Sequence, residues 1–123
     1  MARKILIVDD DPNIRKTLAR ILTDWGYEAS GAADGLAALE AIRSAPPALV
    51  LLDMQMPGMG GLEFLKAVRA VQPDLAVIMI TGVEDEEQAK KSMELGASDY
   101  IVKPFDFDYL RDSVRAKLAT VLE

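Results

Sequence analysis

A chain of 123 residues, half of them hydrophobic and 28% charged, can build one buried core with a soluble surface but has no room for a second domain of ordinary size, so residues 1–123 are expected to form a single unit. The absence of Cys and His removes disulfides, thiol and imidazole nucleophiles and most transition-metal sites, leaving chemistry based on oxygen. A net charge of −6 and a pI near 4.7 argue against direct contact with nucleic acid or an anionic membrane; with apolar runs only a strand long and no secretory pattern at the N-terminus, the expected location is the cytoplasm.

Ile5-Leu6-Ile7-Val8 is a continuous apolar run, as in a strand covered on both faces, and it stops at three acids, Asp9, Asp10 and Asp11. Asp11-Pro12 reads as a helix N-cap followed by proline at the first helical position, and Ile14, Leu18, Ile21, Leu22 and Trp25 recur at helical spacing up to Gly26. Tyr27 to Gly31 is a short, more polar strand suited to a sheet edge, and Asp34-Gly35 opens a second helix carrying Leu36, Leu39 and Ile42 before Pro46-Pro47. Leu49 to Leu52 is the next buried strand and runs straight into Asp53, after which Met54 to Gly61 reads as a loop. Leu62, Phe64, Leu65 and Val68 predict a third helix that closes before Pro73, and Leu75 to Ile80 predicts a fourth strand ending at Thr81-Gly82. The segment from Glu84 to Leu95 is rich in Glu and Lys and offers mainly Ala89, Met93 and Leu95 for burial, which predicts a thinly anchored helix that is cheap to move. Tyr100-Ile101-Val102 is the last strand, broken by Lys103-Pro104, and Phe107, Leu110, Val114 and Leu118 mark the last helix.

Five strands alternating with five helices predict an α/β fold in three layers, a doubly wound parallel sheet with helices on both faces. In such sheets ligands bind beyond the carboxyl ends of the strands, where this chain carries Asp9, Asp10, Asp53, Thr81 and Lys103. Carboxylates crowded at about 5 Å repel by roughly 3 kcal/mol per pair at an effective dielectric near 20, so the cluster calls for a divalent cation and Lys103 as counter-charge. A few carboxylates with retained waters suit Mg²⁺, with Mn²⁺ as a substitute, better than an all-protein Ca²⁺ cage. With that charge in place, Asp53 is the carboxylate best suited to attack phosphorus, and the Thr81 hydroxyl to donate to a phosphoryl oxygen.

The pieces Ile5-Leu6-Ile7-Val8-Asp9-Asp10-Asp11-Pro12, Leu51-Leu52-Asp53-Met54-Gln55-Met56-Pro57-Gly58-Met59-Gly60-Gly61, Ile80-Thr81-Gly82 and Tyr100-Ile101-Val102-Lys103-Pro104-Phe105 resemble the receiver domain of two-component response regulators, over a span from Lys4 to about Leu118. The resemblance implies a flavodoxin-like strand order 2-1-3-4-5 and Asp53 as phosphoacceptor, with Mg²⁺ held by Asp10, Asp53 and the Gln55 backbone carbonyl, and Asp9 assisting indirectly. It further implies that Lys103 pairs with the phosphoryl group, that Thr81 and Tyr100 switch the face made by the fourth helix, fifth strand and fifth helix, and that Gln55 and Val83 tune the lifetime of the phosphate. A cis Lys103-Pro104 bond is common in relatives. The implied partners are a sensor histidine kinase or phosphotransfer protein upstream and an effector or fused output domain downstream; a homodimer formed on phosphorylation is compatible with this reading.

Each of these residues also has a plain structural reading: Asp9 and Asp10 as capping or solvated acids, Asp53 and Thr81 as caps of the following helices, Lys103 as a solvent-facing lysine, Tyr100 as packing. Two rival functions are a haloacid-dehalogenase-like phosphatase using Asp9 as nucleophile, and a receiver-shaped protein-binding module that never takes up phosphate. The first has the Asp9-x-Asp11 spacing in its favour, but Asn13 stands where that motif wants Thr or Val and the fourth strand ends in Thr81 instead of an acid pair. The second predicts neither affinity for Mg²⁺ nor a response to acetyl phosphate.

Overall fold

Along the central strands successive side chains enter opposite cores, the period-two pattern that a sheet covered on both faces imposes. The computed structural model describes residues 3–53, 58–82 and 85–119. In chain order the elements are β1 (Lys4–Val8), α1 (Pro12–Asp24), β2 (Glu28–Ala32), α2 (Gly35–Ser44), β3 (Leu49–Asp53), α3 (Gly61–Val71), β4 (Ala76–Thr81), α4 (Glu86–Glu94), β5 (Asp99–Val102) and α5 (Phe107–Ala119). All five strands pair in parallel in the order β2-β1-β3-β4-β5, the expected one, with polar β2 at an edge.

Ile5, Ile7, Leu49, Leu51, Ile78 and Ile80 point to the side covered by α1 and α5, where Leu18, Leu22, Leu110 and Val114 meet them. Leu6, Val8, Val50, Leu52, Val77 and Met79 point to the other side, against Leu39 and Ile42 of α2 and Phe64, Leu65 and Val68 of α3. The register sets Val8 opposite Leu52, Asp53 opposite Ile80 and Thr81 opposite Val102, so the carboxyl ends of β1, β3, β4 and β5 line up along one edge.

Local signals fix the helix starts. Asp11 caps α1 by accepting from the Asn13 N–H at 2.8 Å, with Pro12 directly behind it, and Asp34 caps α2 by accepting from the Ala37 N–H at 2.8 Å. Gly26, just past α1, takes the left-handed conformation that ends many helices. The strand limits of β2 and β4 lie one residue beyond the expected ones, and α4 starts at Glu86 because Asp85 caps it by accepting from the Glu87 and Gln88 N–H groups.

Helix α4 differs in its packing from the sequence expectation. Met93 is 49% exposed, and the buried residue of α4 is Ser92, whose hydroxyl donates to the Gln88 carbonyl at 2.8 Å. One residue of helix turns a side chain by about 100°, so a helix that buries Ser92 sends Met93 outward. Leu36 and Phe107, counted as core markers, are likewise exposed. The carboxyl end of α4 is tied instead by Arg69 of α3, which donates to the Gly96 carbonyl at 2.6 Å and the Gln72 carbonyl at 3.1 Å. The Lys103-Pro104 bond is cis.

Candidate functional site

Parallel pairing carries four strand ends to one edge, and the acids gather there. One carboxylate oxygen from each of Asp9, Asp10 and Asp53 lies within 4.8 Å of the others. Asp9 faces inward and is 4% exposed, Asp53 is half-buried and Asp10 is exposed, so the group grades from core to solvent. Asp9 is held on every side: its N–H donates to the Ala32 carbonyl at 3.2 Å, its Oδ1 accepts from the Asp11 N–H at 2.9 Å, and its Oδ2 lies 4.0 Å from Lys103 Nζ. Its carbonyl accepts from Arg15 Nη1 at 2.5 Å.

Burial pushes the Asp9 carboxyl above its usual range; Asp53 and Asp10 add to this, while the Asp11 N–H and Lys103 oppose it. A cluster of this kind is short of positive charge: among the described residues Lys103 is the cation paired with one of its carboxylates, while Arg15 reaches only the Asp9 carbonyl. Its donors are all oxygens, the set preferred by a hard divalent ion, and the exposed Asp10 leaves one side of the group open to an ion that keeps waters. The three carboxylates therefore fit Mg²⁺.

Thr81 ends β4 one residue beyond the partner of Asp53 and is fully buried. Its side chain is hydrogen-bonded to the Tyr100 phenol, and its carbonyl accepts the Lys103 N–H at 2.7 Å, so β4 and the turn after β5 are fastened at the site. Burial raises the Tyr100 pKa, nearby Asp85 raises it further, and the Thr81 hydrogen bond works the other way. A Cβ on Gly82 would meet nothing within 4 Å, which agrees with open space beside Thr81.

Of the residues expected from sequence, Asp9, Asp10, Asp53 and Lys103 are brought together, and Thr81 and Tyr100 join them through the strand ends. Gln55 and Val83 lie outside the described residues, as do Met54 and Met56. The capping alternatives for Asp53 and Thr81 fall away, since the N-caps of α3 and α4 are Gly60 and Asp85. Lys103 is turned to Asp9 with its side chain 31% exposed, which is not the posture of a solvated lysine.

Three features had escaped the sequence reading. Arg15 reaches the Asp9 carbonyl from α1. Asp99 accepts from the Tyr100 N–H at 2.8 Å, Ser113 Oγ at 2.6 Å and Tyr109 OH at 3.1 Å, which fastens α5 to β5. A hollow of about 250 Å³ opens beside Asp9, Asp53 and Lys103, with apolar walls that include Leu18, Phe105 and Phe107. Only a cation so near a helix start and an acid at a strand start hinted at the first two, and neither hint names a partner.

The family model described as the response regulator receiver domain matches residues 5–115. Sporulation initiation phosphotransferase F of Bacillus subtilis is 42% identical over 118 residues, covering 96% of this chain and 95% of that protein. The DNA-binding response regulator MtrA of Mycolicibacterium smegmatis is 38% identical over 118 residues, 96% of this chain but 51% of that regulator, so the chain spans about half of its length. Among solved structures, a CheY-like response regulator receiver domain protein from Methanospirillum hungatei superposes with a TM-score of 0.93 at 34% identity, covering 98% of this chain and 97% of that one.

Proposed function

The chain belongs to the response regulator receiver domain family, and on that footing we propose that Asp53 takes a phosphoryl group from the phosphohistidine of a sensor histidine kinase or phosphotransfer protein. In the transfer an Asp53 carboxylate oxygen bonds to phosphorus as the donor's nitrogen–phosphorus bond breaks, and the imidazole leaves with a proton. Asp10 and Asp53 would hold Mg²⁺, together with the Gln55 carbonyl that the family resemblance implies, and Asp9 would act from behind by orienting and charge. When bound, the ion supplies positive charge that offsets the crowded carboxylates and the phosphoryl oxygens. The Lys103 ammonium pairs with one phosphoryl oxygen and the Thr81 hydroxyl donates to another, both from fixed strand ends.

The observation that carries this reading is the meeting of three carboxylates within 4.8 Å with a lysine turned to the most buried of them. A phosphatase reading with Asp9 as nucleophile fits poorly: that carboxylate is almost wholly buried, one oxygen accepts the Asp11 N–H and the other faces Lys103. Because the chain acts on its own side chain, it is a signalling switch and not an enzyme with a released substrate.

The output runs from Thr81 to Tyr100, which are already hydrogen-bonded, and on to the face of α4, β5 and α5. A downstream effector or a fused output domain reads that face, with the acidic chain itself making no direct contact with nucleic acid and working in the cytoplasm. Among the described residues no helix is long and apolar enough to cross a membrane.

The deciding experiment is phosphotransfer from candidate kinases, and in parallel from acetyl phosphate with Mg²⁺, followed by mass-spectrometric mapping. The label is expected on Asp53 and absent in Asp53→Ala. A label on Asp9 with continued turnover would favour the phosphatase; no label and no Mg²⁺ response would favour a plain binding module.

A further inference from the structure

Arg15 has no part in the chemistry just described, yet it touches the backbone of the acid cluster. It is the fourth residue of α1, near the end where the helix dipole disfavours a cation, so helix stability does not account for it. Side chains on a helix lean toward its N-terminus, and Arg15 leans far enough for Nη1 to donate to the Asp9 carbonyl at 2.5 Å, six residues back. Asp9 ends at the point where the chain leaves β1 and turns toward Asp10. With its N–H on the Ala32 carbonyl and its Oδ1 on the Asp11 N–H, Asp9 lacks only a hold on its own carbonyl, and Arg15 supplies it.

A second observation concerns β2. The stem of Arg15 crosses Gly31, which is paired with Ile7 of β1. A Cβ built on Gly31 would sit 3.2 Å from Arg15 Cδ, and 3.7 Å from both Arg15 Nε and the Ile7 carbonyl oxygen. Gly31 is not among the glycines with left-handed backbone, so its smallness serves space and not conformation.

We propose that Arg15 is a positioning residue of the metal and phosphoryl site, fixing the Asp9 carbonyl and thereby the direction in which Asp10 is presented, and that Gly31 is small to let the arginine stem through. This rests on the reading of the acids as a Mg²⁺ site. The guanidinium touches neither the ion nor the phosphate; it acts through the peptide that joins Asp9 to Asp10.

The test uses Arg15→Ala, Arg15→Lys, Gly31→Ala and the double variant Arg15→Ala/Gly31→Ala, with two readouts. Amide hydrogen exchange by NMR without metal reports the Asp11 N–H, which donates to Asp9 Oδ1, against the β1 amides as internal reference. Calorimetric titration with MgCl₂ reports the site. In Arg15→Ala, Asp11 exchange is expected to quicken while β1 stays protected, and Mg²⁺ affinity to fall roughly tenfold, the scale of losing an outer support of a metal site. Arg15→Lys keeps a donor and the charge and is expected to fall in between. Gly31→Ala is expected to weaken Mg²⁺ binding in the wild-type background and to do nothing further on Arg15→Ala, because the two act through one contact.

Unchanged Mg²⁺ affinity in Arg15→Ala overturns the proposal, even if Asp11 exchange quickens, since Arg15 is then only a structural tie. Equal losses from Gly31→Ala in both backgrounds overturn the role given to Gly31. A wild-type chain that binds no Mg²⁺ overturns the metal reading itself, a result distinct from either. Should Arg15→Ala not fold, Arg15→Lys and Gly31→Ala decide by the same two measurements.

Discussion

Asp10 and Asp53 each repel two neighbours in the metal-free chain, and at separations under about 5 Å each such pair costs roughly 3 kcal/mol before solvent screening of the exposed Asp10. Neutralising one of them relieves that cost and, on the proposed function, removes one of the Mg²⁺ ligands at once. Asp10→Asn and Asp53→Asn are therefore expected to melt at a higher temperature than the wild type in chelator, with Mg²⁺ reversing the order. An excess of Mg²⁺ a hundredfold above its Kd adds about 2.7 kcal/mol to a state that binds it, and nothing to one that does not. Circular-dichroism melts with and without Mg²⁺ check this; lower midpoints for both variants in chelator would contradict the crowding argument. The acids themselves were legible in the sequence because each ends a hydrophobic run. Their different burial was not: Asp9 and Asp10 are adjacent, but the Asp9 N–H is still held by the Ala32 carbonyl of β2 and its side chain stays buried, whereas Asp10 lies at the bend one residue further on and is exposed.

Among the elements, α4 has the weakest apolar hold, as its composition foretold, but its attachment is of a kind no composition reveals. Arg69 and Gly96 are 27 residues apart, and their bond exists because α3 and α4 lie side by side. Gly96 has φ of +95°, and a Cβ there would fall 2.7 Å from Arg69 Nε. Gly96→Ala thus meets both a backbone penalty of about 1–2 kcal/mol and the displacement of Arg69 from the Gly96 carbonyl. A urea melt should register a loss of at least that size; wild-type stability would mean that the turn after α4 is not held in this way. Arg69 thus holds the carboxyl end of α4, while Asp85 caps its amino end.

For the whole molecule, the two tyrosines of β5 and α5 give stability an alkaline limb. Burial raises the pKa of Tyr100, helped by Asp85, and burial raises that of Tyr109, helped by Asp99, which accepts its hydroxyl. A phenol that holds its proton more tightly when folded stabilises fully below the ordinary value of 10.0, and that contribution is lost as the pH rises through the folded value. Stability is therefore expected to fall above pH 10, less steeply in Tyr109→Phe, with chemical denaturation across that range as the check; equal slopes would remove Tyr109 from the account. The sequence by itself determined the alternation of strands and helices, the two-sided sheet and the residue types at each strand end, because hydrophobic period, caps and breakers act over a few neighbouring residues. Only the tertiary structure decided which strand ends meet, that Lys103 turns to Asp9 and that Arg15 and Gly31 lie across the same peptide, because parallel pairing joins segments tens of residues apart and the sheet register alone sets their distances.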